Sequence, residues 1–175
     1  MNHIEKRIEE LGATFTPAVV GFHVKDNNVL LGIRKKVSMG LGENLIAGIG
    51  GKVGDEEAFK DETPEEAMVR EVEEEIGMLV KKCTYMGRVR HINVPEKAHW
   101  NMDIQVYILD EVEGEAQETE VMKPVWYPRE ALPTERMWKD NAHWLPQILM
   151  RKKIDALFVY DDNSNIQEKI IEESI

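Results

Sequence analysis

The stretch GGKVGDEEAFKDETPEEAMVREVEEEIGM, Gly50 to Met78, decides how the chain is read. Its densest part, Arg70-Glu71-Val72-Glu73-Glu74-Glu75-Ile76-Gly77, places several carboxylates on one short helix. Like charges one helical turn apart destabilise a helix. Two explanations compete: an acidic face turned to water, or a cation held between carboxylates. Magnesium and similar hard ions take oxygen ligands, commonly one or two carboxylates together with substrate phosphates.

The helix signals are complete. Thr63 is a good N-cap, Pro64 suits the first helical position, and Glu66 follows three residues after Thr63 as a capping box requires. Gly77 is a natural stop. Val69, Val72, Ile76 and Leu79 recur at spacings of three and four and predict the buried face. Glu71, Glu74 and Glu75 fall at i, i+3 and i+4 and share another face. Arg70 can pair with Glu74 one turn on or with an incoming phosphate. Upstream, Gly48-Ile49-Gly50-Gly51 ends a predicted strand, where glycine permits close approach of a ligand.

These residues resemble the Nudix box, G-x5-E-x7-R-E-U-x-E-E-x-G-U, with U a bulky apolar residue. Glu62, Arg70, Glu71, Val72, Glu74, Glu75, Gly77 and Met78 match at the family spacing. Gly51 stands eleven residues before Glu62, where the pattern allows six, so five extra residues fall between Gly54 and Glu62. Gly51 to Glu57 also keeps the expected spacing, but the capping signature points to Glu62 as the box glutamate. The resemblance implies an α/β fold, an α/β/α sandwich with a mixed central sheet and the box helix packed on it. It also implies a magnesium-dependent pyrophosphohydrolase, with manganese as a substitute ion. Glu71, Glu74, Glu75 and the Gly51 carbonyl become the expected metal ligands. Glu71 serves either as ligand or as the base for the attacking water, and Arg70 orients a box carboxylate. A further carboxylate from outside the box is expected near Glu120, which reads equally as an exposed loop residue.

The likeness extends over about residues 17–160. Val29-Leu30-Leu31-Gly32-Ile33-Arg34, Gly48 to Val53, and Pro124-Val125-Trp126-Tyr127 through Met137-Trp138 to His143-Trp144-Leu145-Pro146 are similar to the MutT-like oxidised-purine nucleoside triphosphatases. That similarity implies release of monophosphate and pyrophosphate from a purine nucleoside triphosphate. It implies substrate contacts from Arg34, Ala47, Lys52, Trp138, Asp140 and Asn141. Trp138 offers a stacking face, or packs in the core. Two positions depart from the family. Asn141 replaces a second acidic residue, and Ala47 stands where an asparagine usually reads the purine edge. An acidic pair can share a proton, whereas an asparagine offers a fixed donor and acceptor. His91 and Trp100 are read first as structural. The rival enzyme reading is a nucleotide-sugar or ADP-ribose diphosphatase, since every such enzyme needs the same box. A non-catalytic nucleotide-binding module would be expected to lose box carboxylates, and this box keeps them. An isomerase would need a nucleophile, a role nothing assigns to Cys83.

Composition frames this reading. The 175 residues suit one domain, 1–175, and 42% hydrophobic with 31% charged is an ordinary globular balance. A net charge of −11 argues against binding a nucleic-acid polymer. A nucleotide small molecule remains compatible, because a metal and local arginines reverse the sign inside one pocket. No apolar run is long enough to span a bilayer. A single cysteine and a charged MNHIEKRIEELG start lead to the expectation of a cytoplasmic protein, as monomer or homodimer.

Along the chain the predicted elements are a helix at 3–11, strands at Ala18–Lys25 and Asn28–Arg34 around an Asp26-Asn27 turn, and a loop at Val37–Asn44. A strand follows at Leu45–Val53, then the box helix, then strands at Cys83–Asn93 and Trp100–Leu109. Glu111–Glu120 reads as an acidic loop or sheet edge, Lys123–Tyr127 as a strand, Asp140–Lys152 as a helix with Pro146 near its first turn, and Ile154–Tyr160 as the closing strand.

Overall fold

The computed structural model describes residues 1–35 and 44–173. The loop expected at Val37–Asn44 lies outside the described residues except for Asn44. In chain order the elements are α1 (His3–Leu11), β1 (Thr16–Phe22), β2 (Val24–Lys25), β3 (Asn28–Arg34), β4 (Ile46–Ala47), β5 (Ile49–Lys52), α2 (Pro64–Ile76), β6 (Leu79–Ile92), β7 (Met102–Glu113), β8 (Met122–Pro128), α3 (Asn141–Leu149), β9 (Ile154–Tyr160) and β10 (Ile166–Glu173).

A mixed sheet runs β10-β9-β6-β7-β1-β5, with β1–β7 and β6–β9 parallel and the other pairs antiparallel. A smaller antiparallel sheet centres on β3, which pairs with β8 along one edge and with β2 and β4 along the other. Side chains alternate across each strand. Val19, Leu30, Tyr107 and Leu109 therefore pack with Ala67, Met68, Val72 and Ile76 of α2. Phe22, Leu31, Val106 and Ile108 pack with Trp144, Leu145 and Ile148 of α3. Ile4 of α1 joins Ile92 and Leu157. The expected α/β/α sandwich is present, with the second sheet as an addition.

The cap of α2 is as predicted on one side only. Thr63 Oγ1 accepts from the Glu66 amide at 3.2 Å, but the Glu66 carboxylate accepts from the Thr63 hydroxyl, also at 3.2 Å. Gly77 closes the helix at φ +71. The buried face is shifted from the expected one. Ala67 and Met68 join Val72 and Ile76 inside, Val69 is only partly covered, and Leu79 lies beyond the helix and is exposed.

Several strands differ from expectation for local reasons. The Ala18–Lys25 segment divides at His23, whose Nδ1 bonds with the Leu109 carbonyl oxygen (2.7 Å), and β2 joins the small sheet. Asp26 and Asn27 both have positive φ, the signature of a tight two-residue hairpin. The Leu45–Val53 segment divides at Gly48 into β4 and β5, one in each sheet. β6 and β7 form one long ladder from Leu79↔Glu113 to His91↔Met102, so Glu111–Glu113 belong to the sheet, the second of the two readings of Glu111–Glu120. β10 was not expected because its IQEKIIEE sequence is as charged as a loop. It is an edge strand, where charged side chains face water and discourage further pairing. α3 is shorter than predicted, and Pro146 lies inside it beyond the first turn.

Gly87 sits at φ +129 where the β6–β7 register shifts, and a Cβ there would strike the Ile154 carbonyl. Gly87→Ala is expected to lower stability by more than about 1 kcal/mol in urea unfolding. An unchanged midpoint would mean that the β6–β9 pair yields freely at this point.

Candidate active site

Arg70 is the centre of the box helix. Its Nε donates to Glu62 Oε2 (2.9 Å) and its Nη2 to Glu62 Oε1 (2.6 Å) and the Lys52 carbonyl (3.2 Å). Nη1 donates to Glu71 Oε1 (3.0 Å) and Glu74 Oε2 (3.1 Å). A guanidinium has five N–H donors, and these contacts occupy all of them. Of the two alternatives for Arg70, the geometry has the carboxylate pairing, and its donors do not stand free for a phosphate. The Glu62 hydrogen bonds raise Arg70 further above its ordinary value, and the Arg70 hydrogen bond holds Glu62 below the usual carboxylate range.

Glu62 is confirmed by geometry as the arginine's partner. Besides Arg70, it accepts the Gly54 amide at 2.9 Å. Glu57, the alternative by spacing, is exposed and pairs only with Lys60 among the described residues.

The three expected metal carboxylates separate. Glu71 and Glu75 turn toward β5, whereas the Glu74 side chain is 51% exposed and bonds Arg70 at the rim. Glu75 Oε1 accepts the Gly50 amide at 3.2 Å. Its Oε2 is buried without a hydrogen-bond partner among the described residues. Among the described residues the cation beside it is Arg34, whose Nη1 lies at 3.7 Å, too long for a hydrogen bond but close enough for attraction. Arg34 Nη2 instead donates to the Gly50 carbonyl at 3.2 Å. The expected substrate contact Arg34 therefore supports Glu75 directly. Burial pushes Glu75 up to about 8, with the adjacent Glu71 carboxylate adding to the rise and Arg34 opposing it. Burial likewise raises Glu71, against the pull of Arg70.

Gly51 lies against this pair. A Cβ at Gly51 would overlap the Glu71 carboxylate, so the backbone approaches closely only because no side chain intervenes. Among the described residues no three His, Cys, Asp or Glu side chains form a closed cage. A hard ion here would have to complete its shell with backbone oxygen, water and substrate phosphate. The orphaned Glu75 oxygen, the basic Glu71–Glu75 pair and the open Gly51 backbone fit such an ion.

Glu120 is exposed, and no hydrogen bond or ion pair joins it to α2 among the described residues. Its neighbour Thr119, which sequence reasoning missed, does reach the site: its hydroxyl donates to the Glu75 carbonyl at 2.8 Å. Lys52 is exposed, with its carbonyl bound to Arg70. Ala47 is half-buried in β4 opposite Gly32.

The Trp138 region is a second polar centre. Asp140 is fully buried and does not cap α3. Its Oδ1 accepts from the Tyr160 hydroxyl (2.6 Å), and its Oδ2 from Trp144 Nε1 (2.7 Å) and His91 Nε2 (2.9 Å). His91 and these hydrogen bonds outweigh burial and hold Asp140 down to about 2. An ionised Asp140 fixes the proton on His91 Nε2. The His91 ring lies 6.2 Å from Trp138, centroid to centroid, at 18° between planes. Asn141 Nδ2 donates to the Trp138 carbonyl at 3.3 Å. His91 was singled out in the sequence but Tyr160 was not; a tyrosine ending an apolar strand carries no local sign of its partner.

Two outcomes follow. In metal-free protein the raised Glu75 keeps its proton on folding between its ordinary 4.5 and about 8. Its contribution to stability is complete below that window and is lost as pH rises through it. Tm of metal-free protein is expected to decline from about pH 5 to about pH 8, and Glu75→Gln to flatten that slope; identical slopes would refute the buried proton. Asp140→Asn presents an amide to three donors and is expected to cost about 1–3 kcal/mol in urea unfolding. A variant as stable as the parent would show that His91, Trp144 and Tyr160 find other acceptors.

Comparison with known proteins places this geometry. The NUDIX domain family model matches residues 14–148. The chain is 31% identical over 150 residues to the oxidized purine nucleoside triphosphate hydrolase of Danio rerio, covering 86% of this chain and 90% of that one. It is 31% identical over 145 residues to the protein of the same name from Mus musculus, covering 82% and 85%. The crystal structure of the MutT mutator protein from Bacillus halodurans shares the fold, with a TM-score of 0.70 at 19% identity over 90% of this chain and 98% of that one. With a box helix whose arginine binds Glu62, Glu71 and Glu74, and with this family match across most of its length, the chain belongs to the Nudix hydrolases as a pyrophosphohydrolase.

Proposed function

We propose that the protein hydrolyses purine nucleoside triphosphates, oxidised deoxynucleotides among them, to the monophosphate and pyrophosphate with magnesium as the preferred ion. The observation that carries this reading is the buried Glu75 Oε2, unpartnered among the described residues, beside Glu71 and the bare Gly51 backbone. Glu75, Glu71 and the Gly51 carbonyl would hold the ion, with Glu74 contributing from the rim. When bound, the ion neutralises phosphate oxygens and acidifies water for attack. Arg70 fixes the carboxylates, and Arg34 offsets the charge of Glu75. Glu71, partly committed to Arg70 and raised by burial, serves either as a ligand of the ion or as the acceptor of the proton from the attacking water.

The base is assigned to the Trp138 region on two grounds. The named function of the curated relatives supports a purine, and Trp138 is a half-buried aromatic beside polar groups. Asp140 is committed to internal donors and acts as the scaffold of that wall. Of the expected base contacts Ala47, Asp140 and Asn141, only Asn141 keeps a polar atom to read the base edge, its Oδ1.

A substrate panel tests the assignment: normal and oxidised dGTP and dATP, ADP-ribose and a nucleotide sugar, each with magnesium and with manganese. Pyrophosphate release from the purine triphosphates is expected, and Glu75→Gln is expected to lose more than about 100-fold in kcat while staying folded. Turnover confined to ADP-ribose or the nucleotide sugar would replace the triphosphate reading. A Glu75→Gln variant as active as its parent would remove the metal assignment.

A further inference from the structure

We propose that Phe59 is a positioning residue: its ring clamps Arg70 and so keeps Glu71 and Glu74 set to receive a divalent cation. The inference deepens the proposed metal site and rests on it.

Phe59 belongs to the segment by which this chain exceeds the Nudix-box spacing. That segment is built, not slack. Gly54 turns at φ +65 and gives its amide to Glu62 Oε1. The Phe59 amide donates to the Glu56 carbonyl, and the Glu62 amide to the Phe59 carbonyl, each at 2.9 Å. The two turns bring the Phe59 ring over Arg70, with Cζ 4.6 Å from the ring centroid. Glu62, at the end of the same segment, grips the edge of the same guanidinium.

The arrangement has a clear physical consequence. In its plane, Arg70 is saturated by Glu62, Glu71, Glu74 and the Lys52 carbonyl. Only its faces remain open to water. An aromatic ring on one face attracts the cation through its quadrupole and excludes water that would compete for the N–H groups. Arg70 then holds its two helix carboxylates at fixed positions before any ion arrives. Without the ring, Glu71 and Glu74 must be ordered by the ion itself, which weakens its binding. Phe59 touches neither substrate nor ion in this scheme and acts only through Arg70.

The test compares Phe59→Leu, which keeps apolar bulk but lacks a π face, with Phe59→Tyr, which retains it. Mn2+ affinity is measured by calorimetry on the folded protein without substrate, and exchange of the Arg70 Nε proton is followed by NMR without metal. Phe59→Leu is expected to weaken Mn2+ binding by about two- to tenfold and to speed Arg70 Nε exchange, while Phe59→Tyr restores both. The magnesium needed for half-maximal activity should rise in step, with kcat recovering at saturating metal. Equal Mn2+ affinity in parent and Phe59→Leu, or equal losses in Leu and Tyr variants, would overturn the clamp. A parent that binds no Mn2+ would overturn the metal site itself, and with it the purpose of the clamp, so the two failures are distinguishable.

Discussion

The Arg70 guanidinium is the constraint on which the rest of the site depends. One side chain joins the loop before the helix (Glu62), the end of β5 (Lys52 carbonyl), and two positions of the helix itself (Glu71 and Glu74). A planar fork of five donors can do this where a lysine, with a point charge and three rotatable donors, cannot. It also answers the problem raised by the helix composition. Carboxylates crowded on α2 repel one another, and Arg70 neutralises part of that repulsion at short range without closing the face that Glu71 and Glu75 present to β5.

What Arg70 leaves uncompensated is informative. Glu75 is buried beside Glu71, one of its oxygens has no donor among the described residues, and the Arg34 guanidinium stops at 3.7 Å. A purely structural site would be expected to fill that vacancy, because an unpaired buried polar atom is costly. Burial, with the neighbouring Glu71 carboxylate, pushes Glu75 up to about 8, so the metal-free site favours a proton there. In the proposed metal site an ion and a proton would compete for the same oxygen, and the electrostatics that disfavour the isolated carboxylate would favour a divalent charge.

The Asp140 centre follows the opposite logic. It too is a buried carboxylate, yet three donors surround it and it stays ionised at about 2. Two buried carboxylates thus shift in opposite directions: His91 and three hydrogen bonds hold Asp140 down, while burial and the like charge of Glu71 push Glu75 up. A satisfied network of this kind rigidifies its surroundings, and two of its members, His91 and Tyr160, lie beside Trp138.

Much of this was written locally. The 3.6-residue period, the Thr63 cap, Gly77 and the Arg70–Glu75 spacing identify the helix, its family and its chemistry, because each rests on contacts within a turn or two of chain. The Asp26-Asn27 hairpin and the Glu62 assignment are legible for the same reason. Tertiary structure decided what depends on partners distant in sequence. It turned Glu71 and Glu75 inward and left Glu74 at the rim, assigned Arg34 to Glu75, and spent Asp140 on His91 and Tyr160. It also extended β6 and β7 through their mutual ladder and recruited the charged β10 as an edge. No local pattern encodes such choices, since burial and hydrogen-bond partners are properties of the packed sheet and not of the segment.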